Sequence, residues 1–250
     1  MKQRPILMHT QMAIAASKDI KTQTRRIMAL QRELNDDEYL KLWVDDNGEL
    51  HAVPHWKSND LPVVPSISLK CPYGKPGDIL WVREEHYRWG QWEYSHGVTK
   101  SGKIKSRFVP LDTDIVYGDG RQIQVLGETF TLDVKPNSYR LPAWYKRLAR
   151  FMPKSAARTI LQITDVRIER LQEISEEDAK AEGVEFPSQL IANNPKSLSV
   201  AYRIGFIELW KFIYGAGSWE SNPWVWVISF KRVNNLCQSS DHPCRQQEIF

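Results

Sequence analysis

The sequence predicts an α+β protein, mostly strands with a few packed helices, on three observations. Two short runs, Ile79–Val82 and Trp224–Phe230, are apolar at both parities, the pattern of a strand buried on two faces. Ser175-Glu176-Glu177-Asp178 opens a helix in the manner of a capping box, with Asp in place of the usual Glu or Gln, and Gly183 is its natural stop. Ser199 to Gly215 carries a wide apolar stripe through Val200, Ile204, Ile207 and Tyr214, beside Phe206, Leu209, Trp210 and Ile213. That predicts the longest helix, capped by Ser199 and largely buried.

In chain order, Pro5-Ile6-Leu7-Met8 reads as a short buried strand. Gln11 to Lys18 follows as a short helix with Met12, Ala15 and Ala16 at helical spacing. Arg32 to Val44 is charged and weakly amphipathic. Asp45 to Pro65 holds the turn dipeptide Asn47-Gly48 and Pro54, Pro62 and Pro65, which predicts a surface insertion rather than core. Cys71 to Asp78 is a dense turn signal that launches the Ile79 strand, and that strand ends in charge at Arg83, Glu84 and Glu85. From His86 to Arg140, short aromatic and β-branched runs split by glycines predict hairpins, a small β-rich insertion. Leu161 and Ile163 share one parity and Val166 and Ile168 the other, so a bulge or bend is expected near Thr164-Asp165. In the last strand, Trp224, Trp226, Ile228 and Phe230 take one face and Val225 and Val227 the other, which places it centrally in its sheet. Asn234 to Phe250 turns polar without periodicity and reads as a loose tail. The expected organisation is one domain over 1–233, with insertions at about 30–70 and 88–140.

A chain of 250 residues can bury a substantial core. Hydrophobic content of 42% against 26% charged residues is that of a soluble globular protein, and no apolar run approaches the roughly 18 residues of a membrane span, so no membrane association is expected. A net charge of +4 permits a polyanionic partner without demanding one. Trp89, Trp92 and Tyr94 lie near Lys100, Lys103, Lys105 and Arg107; Trp144 precedes Lys146, Arg147, Arg150, Lys154 and Arg158. These are the best candidates for a nucleic-acid-facing surface, with a solvated face as the plainer account. Three scattered cysteines fit a reducing, cytoplasmic setting better than a disulfide framework. Cys237, His242 and Cys244 lack a zinc spacing and a fourth ligand, so neither metal nor cofactor is expected.

Chemistry concentrates in Ile20-Lys21-Thr22-Gln23-Thr24-Arg25-Arg26-Ile27. Lys21 and Thr24 are the ingredients of an amine-activated hydroxyl nucleophile, and Arg25 and Arg26 are planar donors suited to phosphate or carboxylate. Taken alone, these eight residues read as well as a solvated basic edge. Residues three apart in an extended strand point to opposite faces, so Lys21 and Thr24 cooperate only if the backbone turns between them. Glu182 falls on the last turn of the Ser175 helix, where the helix dipole disfavours an acid by about 0.3–1 kcal/mol.

Lys21-Thr22-Gln23-Thr24-Arg25-Arg26, Gly77-Asp78-Ile79-Leu80-Trp81-Val82-Arg83-Glu84 and Ile174 to Gly183 together resemble an ASCH domain, of the PUA-like superfamily found in RNA-modifying proteins. Phe206-x-x-Leu209-Trp210 and Asn222-Pro223-Trp224-Val225-Trp226-Val227 are similar to the larger ASCH-like proteins of phages and prophages. The resemblance covers about 4–28, 71–88 and 141–233. It implies a PUA-like (ASCH) β-barrel with packed helices, here with a β-rich insertion, and a cleft beside the Lys-Thr stretch. It also implies an activity. The enzymatic members are amidohydrolases that remove the acetyl group from N4-acetylcytidine, using a Lys, a Thr three residues later and a Glu at the end of a helix. Lys21, Thr24 and Glu182 fall on those places as catalytic candidates, and Thr22, Arg25, Arg26, Trp81, Arg83 and Glu84 as candidates for substrate binding. The expected partner is a nucleoside, nucleotide or nucleic acid, RNA before DNA. Two alternatives stand beside the hydrolase: a non-catalytic binder of RNA or modified DNA, and a phage protein acting on a host protein. Lys21 is expected at a cleft rim, where truncation costs little stability.

Overall fold

A computed structural model describes residues 1–29, 31, 38–63, 68–117, 122–125, 128–131, 142–185 and 199–233. The architecture is α+β, strand-rich with few helices. Its centre is a mixed five-stranded sheet. β1 (Gln3–Leu7) lies parallel to β6 (Ile79–Arg83), and β12 (Ile160–Arg170), β13 (Trp224–Arg232) and β2 (Gln23–Ile27) follow antiparallel, in the order β1-β6-β12-β13-β2. The edge strands β1 and β2 are neighbours in sequence, joined through helix α1 (Thr10–Ser17). They are also clasped by a side chain: Arg26 Nη2 donates to the Leu7 carbonyl at 2.5 Å.

Strand β13 shows why both faces of this sheet are covered. Trp226, Ile228 and Phe230 enter one core with Ile6, Met8, Leu80, Val82, Leu161, Ile163 and the α1 residues Ala13 and Ala16. Val225 and Val227 enter a second core with Leu171, Ile174, Ala179, Phe206 and Trp210. The second core lies under α2 (Glu176–Ala181) and α3 (Ala201–Tyr214). Strand β12 carries the bulge its parity change predicts: Ile163 pairs with Phe230 and Asp165 with Ser229, leaving Thr164 as the extra residue. The bulge returns Val166 to the core that holds Ile163.

Three expectations need correction. First, Asp45 to Pro65 is not a surface insertion. β3 (Glu38–Val44), β4 (Leu50–Trp56) and β5 (Leu69–Lys70) form an antiparallel sheet whose Leu50 and Ala52 reach the main core. Pro54 is tolerated inside β4 because its carbonyl accepts the Val63 N–H. The nitrogen of an extended residue points the same way as its carbonyl, so no ladder bond to β3 is lost. Second, β1 is an edge strand rather than a buried one: Ile6 is buried and Leu7 exposed. Third, Ser199 does not cap the long helix. The Glu176 carboxylate does so from α2, accepting from Tyr202 N at 2.7 Å and Arg203 N at 2.9 Å. An anion there meets two of the four unsatisfied N–H groups and the positive end of the dipole.

The chain between β6 and β12 is also rich in strands. β7 (His86–Val98) and β8 (Ile104–Val116) form a long hairpin, β11 (Ala143–Arg147) adds to the other side of β7, and β9 (Gln122–Val125) pairs with β10 (Glu128–Thr131). The tail from Asn234 and its Cys237, His242 and Cys244 lie outside the described residues. Among the described residues no helix is long and apolar enough to cross a membrane.

Glu176→Ala is expected to cost about 0.5–2 kcal/mol, as loss of a helix cap does. At this chain length that lowers Tm by roughly 2–4 °C per kcal/mol. Ser199→Ala should stay within about 0.5 kcal/mol, as an exposed substitution does. Thermal melts of both variants decide it, and an equal loss from Ser199→Ala would remove Glu176 as the cap.

Candidate active site at the junction of β2 and α2

Lys21 closes the turn after α1, and its backbone N–H donates to Ala15 O at 3.1 Å. Thr22 then ties the chain in two directions: its N–H donates to Ala181 O, and its carbonyl accepts from Phe230 N. From there β2 alternates. Thr24 pairs with Ile228 and Arg26 with Trp226, on the face of the main core, while Gln23 and Arg25 pair with Ser229 and Val227, on the face under α2. Lys21 follows the parity of Gln23 and Arg25. Helix α2 brings its last residues down onto this spot because Gly183 permits it. At φ +77° Gly183 takes a conformation L side chains avoid, and a Cβ there would sit 2.7 Å from Lys21 Cβ. The glycine is both the stop of the helix and the gap into which Lys21 fits.

The Lys21 ammonium donates to Glu182 Oε2 at 2.5 Å and to the Glu182 carbonyl at 2.7 Å, and each residue is 4% exposed. Arg25 stands behind this pair with Nη1 at 3.5 Å from Glu182 Oε1. Its other contacts engage both terminal nitrogens, while Nε is buried with no hydrogen-bond partner: Nη1 donates to Gln23 Oε1 at 2.6 Å, and Nη2 to Glu169 Oε2 at 2.7 Å and Asp178 Oδ2 at 2.8 Å. Arg167 joins the same two acids from β12. Three cations, Lys21, Arg25 and Arg167, thus meet three carboxylates, Glu169, Asp178 and Glu182.

Burial pushes the Lys21 amine below its ordinary value; the Glu182 carboxylate opposes that, and the Arg26 and Arg25 charges reinforce it. Burial would raise the Asp178 carboxyl, but Arg25, Arg167 and the Gln23 amide outweigh it and hold Asp178 below the usual range. Glu182 Oε1 is buried with no hydrogen-bond partner. The site therefore offers one amine whose proton is loosened, one carboxylate 2.5 Å away to share it, and one acceptor oxygen still unspent.

Of the residues singled out from sequence, Lys21, Glu182 and Arg25 come together. Thr24 is buried but on the opposite face of β2, beside Ile228. Thr22 has its side chain at the surface, and Arg26 is the clasp to Leu7. Trp81 and Arg83 stack on each other at 5.1 Å on β6, and Arg83 also donates to the carbonyls of Met152 and Arg150. Glu84 is closed: Arg158 Nε and Nη2 take its two oxygens, each at 2.8 Å. Arg25 and Glu84 thus hold structure rather than offer donors or acceptors to a substrate. Lys21 is in the interior and not at a rim, which corrects the expectation that its truncation is cheap. Sequence reasoning missed Glu169, Gln23 and the second task of Asp178. Asp178 did leave a signal, as the unusual Asp in the capping-box place; Ser175 Oγ caps its N–H, and its carboxylate turns to Arg25 instead.

No protein-family model matches the chain, and no curated protein or solved structure does so. Among the described residues no group of three His, Cys, Asp or Glu side chains is placed to hold a metal ion.

Lys21→Ala is expected to cost about 3–5 kcal/mol, because it strands the buried Glu182 carboxylate. A pH dependence accompanies this. With the folded-state amine lowered from 10.5, the folded chain holds one proton fewer than the unfolded chain between that lowered value and 10.5. Stability from this group therefore rises with pH across that window. Thermal melts over the alkaline range should show a steeper rise for wild type than for Lys21→Met. Identical slopes would mean that Lys21 titrates as an ordinary surface lysine.

Proposed function

We propose that the chain is a nucleoside- or nucleic-acid-directed protein with a PUA-like, ASCH-type barrel, and that it removes an acyl group from N4-acylated cytidine. The observation that carries this is the buried Lys21–Glu182 pair. Passing one proton across its 2.5 Å contact yields a neutral amine and a carboxylic acid, a base and an acid side by side. Burial disfavours the charged form of the amine. The barrel reading is supported by the clasp of Arg26 on Leu7, which joins the two edges of the central sheet.

In this reading Lys21 accepts the proton of the attacking hydroxyl, the tetrahedral carbon collapses, and Glu182 gives its proton to the departing exocyclic amine. The resemblance assigns the attack to Thr24. The acyl-threonine ester that forms is then cleaved by water to acetate, which regenerates the hydroxyl. Thr24 reaches Lys21 from the other face only around the free edge of β2. A second reading, a non-catalytic binder, is favoured by one observation: Lys21 and Glu182 are so buried that a substrate reaches them only after a local opening.

Purified protein is expected to release acetate and cytidine from N4-acetylcytidine. Glu182→Gln should lower kcat/KM about 10²–10⁴-fold, the range for loss of general acid catalysis. Thr24→Val should abolish the initial burst of cytidine that an acyl-enzyme produces. Wild-type protein that leaves N4-acetylcytidine intact would falsify the hydrolase and leave the binder.

A further inference from the structure

One face of the β7–β8–β11 sheet gathers arginines and aromatic rings. By register, His86, Arg88, Gly90 and Trp92 of β7 share this face with Tyr145 and Arg147 of β11 and Phe108 of β8. Trp92, Phe108 and Tyr145 meet edge to face, with centroids 5.7–6.3 Å apart. Gly90 makes room for them, since a Cβ there would lie 2.5 Å from the Phe108 ring. The Arg147 guanidinium lies 4.3 Å from the Phe108 centroid, 4.8 Å from Phe151 and 5.1 Å from Trp92, and Arg150 lies 5.0 Å from Phe151. Phe151 is 51% exposed and Arg150 is exposed.

Among the described residues, the charge on this face is uncompensated. Arg83, Arg88 and Arg147 all act electrostatically on the fully buried His86. Among the described residues no carboxylate pairs with Arg83, Arg88, Arg147 or Arg150. Arg83 gives its donors to the carbonyls of Arg150 and Met152, and Arg88 gives one to Asp112 O. The nearest acids in sequence are taken, Glu84 by Arg158 and Glu85 by Lys146. Burial, with the Arg88 charge, pushes the Arg147 guanidinium below its ordinary value. Two further donors on the face, Arg88 Nε and Trp92 Nε1, are buried without an acceptor.

Cations without acids, unpartnered donors and exposed planar groups fit a ligand that is both anionic and planar. We infer that this face binds single-stranded nucleic acid, with phosphates on the guanidiniums and bases stacked on Phe151 and on guanidinium planes. A single strand is required because a duplex hides the faces of its bases. The face is also tied to the edge strands of the central sheet. Arg26 clasps Leu7, Leu7 pairs with Arg83, and Arg83 holds the Arg150–Met152 segment. The inference rests on the proposed hydrolase reading for what the strand is delivered to, a base inside a polymer rather than a free nucleoside.

The test is fluorescence anisotropy of the full chain with a labelled 12-nucleotide single-stranded RNA, the matching single-stranded DNA, and the duplex. Single strands should bind at low salt in preference to the duplex. Phe151→Ala and Arg150→Ala should each weaken binding about tenfold with Tm unchanged, and Arg150→Ala should reduce the slope of log K against log salt by about 0.7. Arg150→Lys, which keeps the charge, should keep that slope. Absence of single-strand binding by wild type, or binding indifferent to Phe151→Ala and Arg150→Ala, overturns the inference. Acetate release from free N4-acetylcytidine is measured alongside. Strand binding without acetate release supports this face and removes the hydrolase; acetate release without strand binding keeps the hydrolase and removes this face.

Discussion

A guanidinium with no exposed surface needs carboxylates and acceptors from the protein itself, and Arg25 sets that condition. Moving such a charge out of water costs several kcal/mol unless carboxylates and acceptors replace the solvent. Here they come from three elements: Gln23 from β2 itself, Glu169 from β12 and Asp178 from α2. Meeting Arg25 therefore fixes where α2 lies on the sheet. From α2 the constraint passes on, because Glu176 holds the first turn of α3. The second hydrophobic core is bounded by these same two helices, so an electrostatic demand and an apolar one place them together.

The chain handles charge in two opposite ways. Around Arg25 and Lys21, cations and carboxylates are matched, and burial lowers the Lys21 amine against the pull of the Glu182 carboxylate. On the face of the β7–β8–β11 sheet, guanidiniums lie on aromatic rings with no acid paired to them among the described residues. A matched, dry cluster suits holding geometry and moving a proton; an unmatched, half-wet one suits attracting a polyanion. The two regions meet along the β1–β6 edge, where Arg26 and Arg83 both spend donors on backbone carbonyls.

Much of the central sheet was legible because its signals are local. The double parity of Trp224–Phe230, the bulge at Thr164 and the cap at Ser175 each follow from a few adjacent residues. Errors arose where a partner distant in sequence decides the outcome. Pro54 argues against a strand until Val63 is seen on its carbonyl, and Ser199 looks like a cap until Glu176 takes the N–H groups. At the site, Lys21 and Glu182 were readable through a resemblance. Their depth was not, because nothing local shows that Gly183 lets α2 press onto Lys21. Arg25 drew attention as a donor for substrate, and only the arrangement of β12 and α2 reveals that its terminal nitrogens are already committed.

Strand β2 finds its ladder partner in β13, so Ile27 pairs with Val225, which lies about 200 residues later in the chain. At a synthesis rate of roughly 5–20 residues per second, the ribosome needs about 10–40 s to make what separates them. Throughout that interval the segment bearing Lys21 and Arg25 lacks its neighbour strand, and for most of it lacks Glu169, Asp178 and Glu182 as well. The basic stretch is thus made well before the carboxylates that neutralise it. During biosynthesis it is a solvated cationic strand, and it becomes an interior one when the final strand of the sheet leaves the exit tunnel.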